Sequence, residues 1–287
     1  MLSGFIIFWI HRNDLGNRSK IVAYATKRIT RIYPLLWVVV LTKAFVALVV
    51  PALMATLEID AMTLLASLFL IPHERVMLDV QWTLFYEVQF YLIFGTWICL
   101  GRWFACAIAL IWAGAILALG PASGHVALRQ LLDLRNMEFL GGCSIAFLMS
   151  RSFLPWRGAV VVTGGAVAGT LAGISLGYGH PLFWTLVFGA LVAGAVSLDS
   201  SQRLNWPRWM VYIGDASYSI YLWHTSVQML FLQVGKKWAV PFGEYGHVLL
   251  HAGGLLSVLL GLVSYRFVEK PILTWFGSRR SLGSRRG

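Results

Sequence analysis

Apolar residues in this chain come in runs of membrane length, separated by short polar or basic segments. Residues 32–54, 82–100, 103–119, 158–177, 182–198, 210–234 and 247–267 each read as a helix that crosses a bilayer, and residues 137–149 as a shorter one. Residues 1–10 are apolar over only half a span. The pattern therefore predicts an all-α, polytopic integral membrane protein with eight complete spans and one partial one. An even total of ten would place one further helix before Met1. Helices are the expected solution because a bilayer offers no water to the backbone, so each span must satisfy its own N–H and C=O groups. Residues 62–71 are too short to cross and read as an interfacial or re-entrant piece.

Composition sharpens the class. Of 287 residues, 58% are hydrophobic and 12% charged, about half the charge of a soluble domain. The formal net charge of +11 does not indicate nucleic acid, because the basic residues cluster between and beyond the spans. Residues 11–31 carry Arg12, Arg18, Lys20, Lys27, Arg28 and Arg31. If that segment is cytoplasmic, alternation puts Arg102, Arg151 to Arg157, residues 199–208 and the Arg-rich C-terminus on the same side, with Glu58 to Asp79 outside. This expects residues 1–275 to form the membrane domain of a bacterial inner-membrane protein, with 276–287 a basic cytoplasmic tail. Cys99, Cys106 and Cys143 lie in apolar stretches without ligand spacing and read as small core residues.

Against this background, charges inside spans stand out. Glu87 lies on a helix with Thr83 and Tyr91 at i−4 and i+4, about five residues and hence roughly 7–8 Å below the outer boundary. Such a carboxylate faces a bundle interior, a partner or a substrate path; satisfaction by neighbouring hydroxyls for packing alone is the rival reading. Glu138 sits near the outer end of another span. Lys43 either snorkels or pairs with a carboxylate. His224 shares a face with Ser217, Tyr221 and Gln228, as a base or as an interhelical hydrogen-bonding group. His247 and His251 are four apart, but no Glu sits between them in the zinc-protease pattern, so no metal is expected. Gly165, Gly169, Gly173 and Gly177 recur every fourth residue, which predicts one close-packing helix face.

Several separated motifs then fall in a telling order: Leu2-Ser3-Gly4-Phe5, Lys27-Arg28-Ile29-Thr30-Arg31-Ile32-Tyr33-Pro34, and Trp82-Thr83-Leu84 with Glu87 and Phe90-Tyr91. They are followed by Gly214-Asp215-Ala216-Ser217-Tyr218-Ser219 running to His224, and by Tyr265-Arg266-Phe267-Val268-Glu269-Lys270-Pro271. Together these resemble membrane-bound acyltransferase family 3, whose members O-acylate exopolysaccharides, O-antigens and related glycans. The Trp82-Thr83-Leu84 segment and residues 137–141 are similar to its exopolysaccharide acetyltransferase branch. The resemblance implies ten transmembrane helices, an acyl-CoA donor (acetyl-CoA first) on the cytoplasmic side, and a glycan or lipid-linked saccharide acceptor. It also implies a catalytic His in a first helix, which is not read among these residues.

Carried onto this chain, the resemblance gives Arg28 and Arg31 a role at the donor mouth, since guanidinium forks suit the phosphates of coenzyme A. Both could instead serve topology alone. Glu87 and Glu138 become catalytic candidates on the acceptor side and His224 a stand-in base. Glu269-Lys270 reads as an interfacial ion pair capping the last helix, with a donor-mouth role open. The rival functions are a transporter or flippase whose path uses Lys43, Glu87, Glu138 and His224, and an inactive remnant of the acyltransferase. An internal repeat, the signature of many transporters, is not found.

Overall fold

In a computed structural model, the described residues are 1–50, 60–120, 126–203, 205–237 and 242–283. They form helices and turns, with no strand among them. Among the described residues, six helical segments are long and apolar enough to cross a membrane: Arg18–Val49, Gln81–Leu100, Arg102–Leu119, Trp156–Ser175, Pro181–Ser200 and Gly246–Gly277. The class is the expected one, a multi-pass helical membrane protein.

Two compact units divide the chain, residues 1–24 with 86–206, and residues 25–85 with 207–287. In the first, α1 (Leu2–His11) packs on α7 (Asn136–Met149), which in turn meets α9 (Pro181–Ser200). These three helices run parallel: Gly4 meets Phe139, Gly189 meets Ile145, and Ser197 meets Met149. The crossing of α1 and α7 is possible because both contribute glycine. A Cβ on Gly4 would lie 2.2 Å from the Phe139 carbonyl oxygen, and one on Gly142 would lie 2.2 Å from that of Met1. With no side chain between them, the backbones approach until Cys143 Sγ donates to the Gly4 carbonyl at 3.5 Å. Gly4→Leu should therefore lower the thermal midpoint in detergent through overpacking of at least about 1–3 kcal/mol. Gly164→Leu, where a Cβ meets nothing within 4 Å, should leave it unchanged. Equal midpoints would show that the crossing tolerates a side chain.

The helical hairpin of α8 (Trp156–Ser175) and α9 forms as expected. Of the four regularly spaced glycines, Gly169 meets Val187 and Gly173 meets Phe183 and Trp184, while Gly165 and Gly177 have no neighbour at their Cβ positions. Two of the four thus serve the contact, because the antiparallel partner follows the stripe for only one turn. The remaining elements of this unit are most of α4 (Gln81–Leu100), α5 (Arg102–Leu119) and the short α6 (Val126–Leu131). Cys143 is buried, but Cys106 on α5 is exposed and is not a core residue.

Charge segregates along this unit. Arg18 Nε donates to the Cys99 carbonyl at 3.3 Å, Arg12 lies over the Trp9 ring, and Arg151 and Arg203 cover Phe147 and Trp156. These residues, with Arg102, crowd one end. The opposite end carries Asp133, Arg135 and Glu138 around the start of α7.

The second unit contains most of α2 (Ile21–Val49), α3 (Ala61–Phe69), the start of α4, α10 (Arg208–Asp215), α11 (Ser217–Lys237), α12 (Phe242–Ser264) and α13 (Lys270–Gly283). The sequence reading treats residues 11–31 as a connection, yet helix begins at Ile21. Hydropathy sees the lysines and arginines there, whereas the helix needs only a stretch without Gly or Pro, which residues 21–33 supply once the Asn17 side chain has capped the preceding turn at Ser19. α3 is nine residues long and too short to span, as expected. Asp60 caps it by accepting from the Thr63 N–H at 2.5 Å, and these bonds to Thr63 hold the Asp60 carboxyl below its ordinary range. The turn between α3 and α4 is folded by buried polar groups. Gln81 Nε2 donates to the Ser67 carbonyl at 2.8 Å, and the Ser67 hydroxyl accepts from Met77 N–H at 2.8 Å.

Three further differences from the expected spans have local causes. Residues 210–234 break at Ala216 into α10 and α11. α11 is too polar to count among the apolar spans, whereas α7, with 14 residues reaching about 21 Å, is short as expected. Residues 247–267 do not end a helix: the chain passes through a π-helical turn at Tyr265–Glu269 into α13. Lys43 is 4% exposed, so it does not snorkel, and the Asp79 carboxylate acts on it electrostatically.

Candidate active site

Glu87 sits in the first unit on α4, half-buried, with both of its hydrogen bonds converging on one oxygen. Tyr91, one turn along the same helix, donates to Oε1 at 2.5 Å, and Ser3 at the start of α1 donates to it at 3.1 Å. Thr83, the third member of the expected stripe, bonds instead to Tyr221 and to the Val80 carbonyl at 3.0 Å, within the second unit. Two hydroxyls on one oxygen fix the carboxylate plane and leave Oε2 without a hydrogen-bond donor among the described residues. This is what a proton acceptor for an incoming hydroxyl requires. Glu138 lies at the same end. Its Oε2 is 3.6 Å from the Met1 nitrogen, on which Glu87 also acts electrostatically, so both carboxylates surround the start of α1.

In the second unit, Arg28 and Arg31 lie on one face of α2, three residues apart. Arg31 Nη1 pairs with Glu269 Oε1, which arrives from the π-helical turn 238 residues away. The other Glu269 oxygen accepts from Ser219 Oγ at 2.6 Å, and the Tyr218 ring lies 5.5 Å from the Arg31 guanidinium. Tyr218 OH in turn donates to the Ile32 carbonyl at 2.8 Å. Glu269 is 2% exposed, while the Arg31 side chain remains 36% exposed. The carboxylate is thus an interior anchor that holds a guanidinium at the rim. This corrects the expectation of a Glu269-Lys270 cap: Lys270 is exposed, and Glu269 turns inward because the π turn adds a residue to that helical turn. The motif signalled importance for Glu269, but its partners Arg31 and Ser219 lie too far away in sequence to be read from local spacing.

His224 lies on α11 in the second unit. Its Nδ1 is 2.6 Å from the Tyr221 carbonyl, which can only accept, so Nδ1 carries a proton, and Nε2 has no hydrogen-bond partner among the described residues. The ring packs 5.4 Å from Tyr221, and the His224 carbonyl accepts from Ser257 at 3.3 Å. No carboxylate orients the ring among the described residues. Sequence reasoning did not single out His11, which is 4% exposed and has Nδ1 at 2.8 Å from Asp14 Oδ2. The i, i+3 spacing of the pair was the only available signal. Among the described residues no group of three or more His, Cys, Asp or Glu side chains converges as metal ligands would.

A carboxylate fixed by hydroxyls and an anchored arginine thus lie on helices of a multi-pass membrane protein. A family model described as an acyltransferase domain matches residues 1–266, and the chain belongs to that family: it is a membrane acyltransferase. It is 28% identical over 303 residues to the exopolysaccharide production protein ExoZ of Rhizobium meliloti (strain 1021), covering 98% of this chain and 89% of the relative. It is 25% identical over 324 residues to the putative peptidoglycan O-acetyltransferase YrhL of Bacillus subtilis (strain 168), covering 96% of this chain and 49% of that protein. No solved structure gives a significant match.

Proposed function

We propose that the enzyme moves an acyl group, acetyl in the simplest case, from cytoplasmic acyl-CoA to a hydroxyl of an exopolysaccharide or other cell-surface glycan. The observation that carries this reading is the Glu87 carboxylate, held by Ser3 and Tyr91 through a single oxygen. In the reaction the acceptor oxygen attacks the thioester carbonyl, a C–O bond forms and the C–S bond breaks. Glu87 takes the hydroxyl proton, which finally leaves with the coenzyme A thiol. Glu138, at the same end, assists in orienting the acceptor. His224, with Nε2 free to accept, is retained as a second candidate base.

Arg28 and Arg31 supply the donor contacts. A guanidinium fork recognises phosphate in two-point fashion, and its pairing with Glu269 pre-orders Arg31 before the donor arrives. Basic residues at one end of the first unit support a cytoplasmic placement of that end, and the Arg-rich sequence of the C-terminus supports a cytoplasmic placement of the tail. The names of the two relatives support a polysaccharide or peptidoglycan acceptor and an acetyl group.

The test uses membrane vesicles containing the full chain, supplied with radiolabelled acetyl-CoA on the cytoplasmic face. Label should enter alkali-labile ester in the glycan or lipid-linked saccharide fraction, and omission of acetyl-CoA should abolish any change to the glycan. Glycan movement across the bilayer without acyl donor would instead identify a transporter.

A further inference from the structure

We infer that the open cleft between the start of α7 and the α8–α9 hairpin is a saccharide-binding subsite in which a pyranose ring lies on Trp184. The inference rests on the acyl-transfer reading for its biological sense, but its evidence is the cleft. The space is about 420 Å³, within the size range of small-molecule sites, and is lined by Arg135, Glu138, Thr170, Ile174, Trp184 and Phe188 among others. All of these belong to the first unit.

Its two walls differ in chemistry. One is aromatic and rigid. Trp184 Nε1 donates to the Tyr178 carbonyl at 2.8 Å, which spends the polar edge of the indole and fixes its plane. Phe188 stacks on it at 5.4 Å and 25°, and Phe183 meets it edge-on at 5.2 Å. Gly173 makes this arrangement possible, because a Cβ there would come within 2.7 Å of Phe183 and 3.0 Å of Trp184. The other wall is polar, with the Glu138 side chain 31% exposed and the Arg135 side chain 51% exposed. Arg135 is steadied by Asp133 Oδ2 at 3.2 Å.

A pyranose ring has the same two-faced character. Its axial C–H groups form an apolar patch that stacks on an indole, and its hydroxyls both donate and accept around the edge. Glu138 accepts from hydroxyls and Arg135 donates to them. A lipid chain would offer neither side chain a hydrogen-bonding group, and a simple anion would meet the Glu138 carboxylate. Glu138 belongs both to this cleft and to the carboxylate pair around the start of α1, so the subsite opens at the end of the unit where Glu87 stands.

The experiment measures binding without any acyl donor. The full chain in nanodiscs is titrated with maltotetraose, cellotetraose and chitotetraose, and saturation-transfer NMR reports contact with ring C–H protons. At least one tetrasaccharide should show transfer, weakened tenfold or more by Trp184→Leu and by the surface change Arg135→Gln. Trp209→Leu, at an exposed tryptophan of the second unit, should leave it unchanged. Absence of transfer from all three, or equal transfer in Trp184→Leu and Arg135→Gln, would overturn the subsite. So would quenching of Trp184 by a brominated phospholipid that none of the sugars displaces. Acyl transfer assayed in parallel separates the two ideas: transfer without binding removes the subsite and leaves the acyltransferase reading. Binding without transfer does the reverse.

Discussion

Glu87→Gln should reduce acyl transfer at least about 100-fold while leaving abundance and thermal midpoint near wild type. The amide keeps the shape and keeps an oxygen that can accept from Ser3 and Tyr91, so the packing around α1 and α4 survives. What it loses is the proton acceptor. Glu87→Ala removes both hydrogen bonds as well and should destabilise by about 1–3 kcal/mol in addition. Tyr91→Phe provides the complementary measurement. It deletes the 2.5 Å bond but not the carboxylate, so kcat should fall by a smaller factor than in Glu87→Gln and KM for the donor should hold. Normal turnover in Glu87→Gln would reduce the residue to an interhelical packing group, the rival reading that its hydroxyl partners also permit.

Breaking the Arg31–Glu269 pair should produce the second large effect, and the two sides of the pair should differ. Glu269→Ala leaves a guanidinium without its interior anchor and leaves Ser219 without its acceptor, at a cost of about 3 kcal/mol. The lower end of the range for buried pairs applies because Arg31 is a third exposed. Arg31→Ala should raise KM for acyl-CoA roughly 10-fold or more, the worth of one lost charge-assisted contact to phosphate. Arg31→Lys keeps the charge and the positive-inside signal but not the fork, so it should keep membrane insertion and still raise KM. If Arg31→Ala lowers only the amount of inserted protein, with KM unchanged, the arginines of α2 serve topology and not the donor.

The difference between these two sites shows what kind of information each required. Glu87 and Tyr91 are four residues apart on one helix, so their contact follows from helical geometry and was legible in the sequence. Ser3, which completes the site, comes from another helix. It lies beside Glu87 because glycines at positions 4 and 142 let α1 seat closely on α7. Arg31 and Glu269 were each marked by motif. Their pairing needed the chain to return over 238 residues and a π turn to rotate Glu269 inward.

By itself, the sequence determined the class of protein. Charge at half the soluble level and runs of membrane length leave only a helical bundle, because a backbone in lipid must satisfy its own hydrogen bonds. The order of its motifs carried the acyltransferase family, which the match over residues 1–266 bears out. Tertiary structure alone decided where helices start and break at Ile21 and Ala216, that Lys43 is interior, and that Glu269 faces Arg31. It alone assembled the cleft beside Trp184. The physical reason is common to all of these. Hydropathy sums residues along one segment, whereas a buried charge or an aromatic wall is set by partners from other segments, brought close by glycine contacts and local turns that no single stretch encodes.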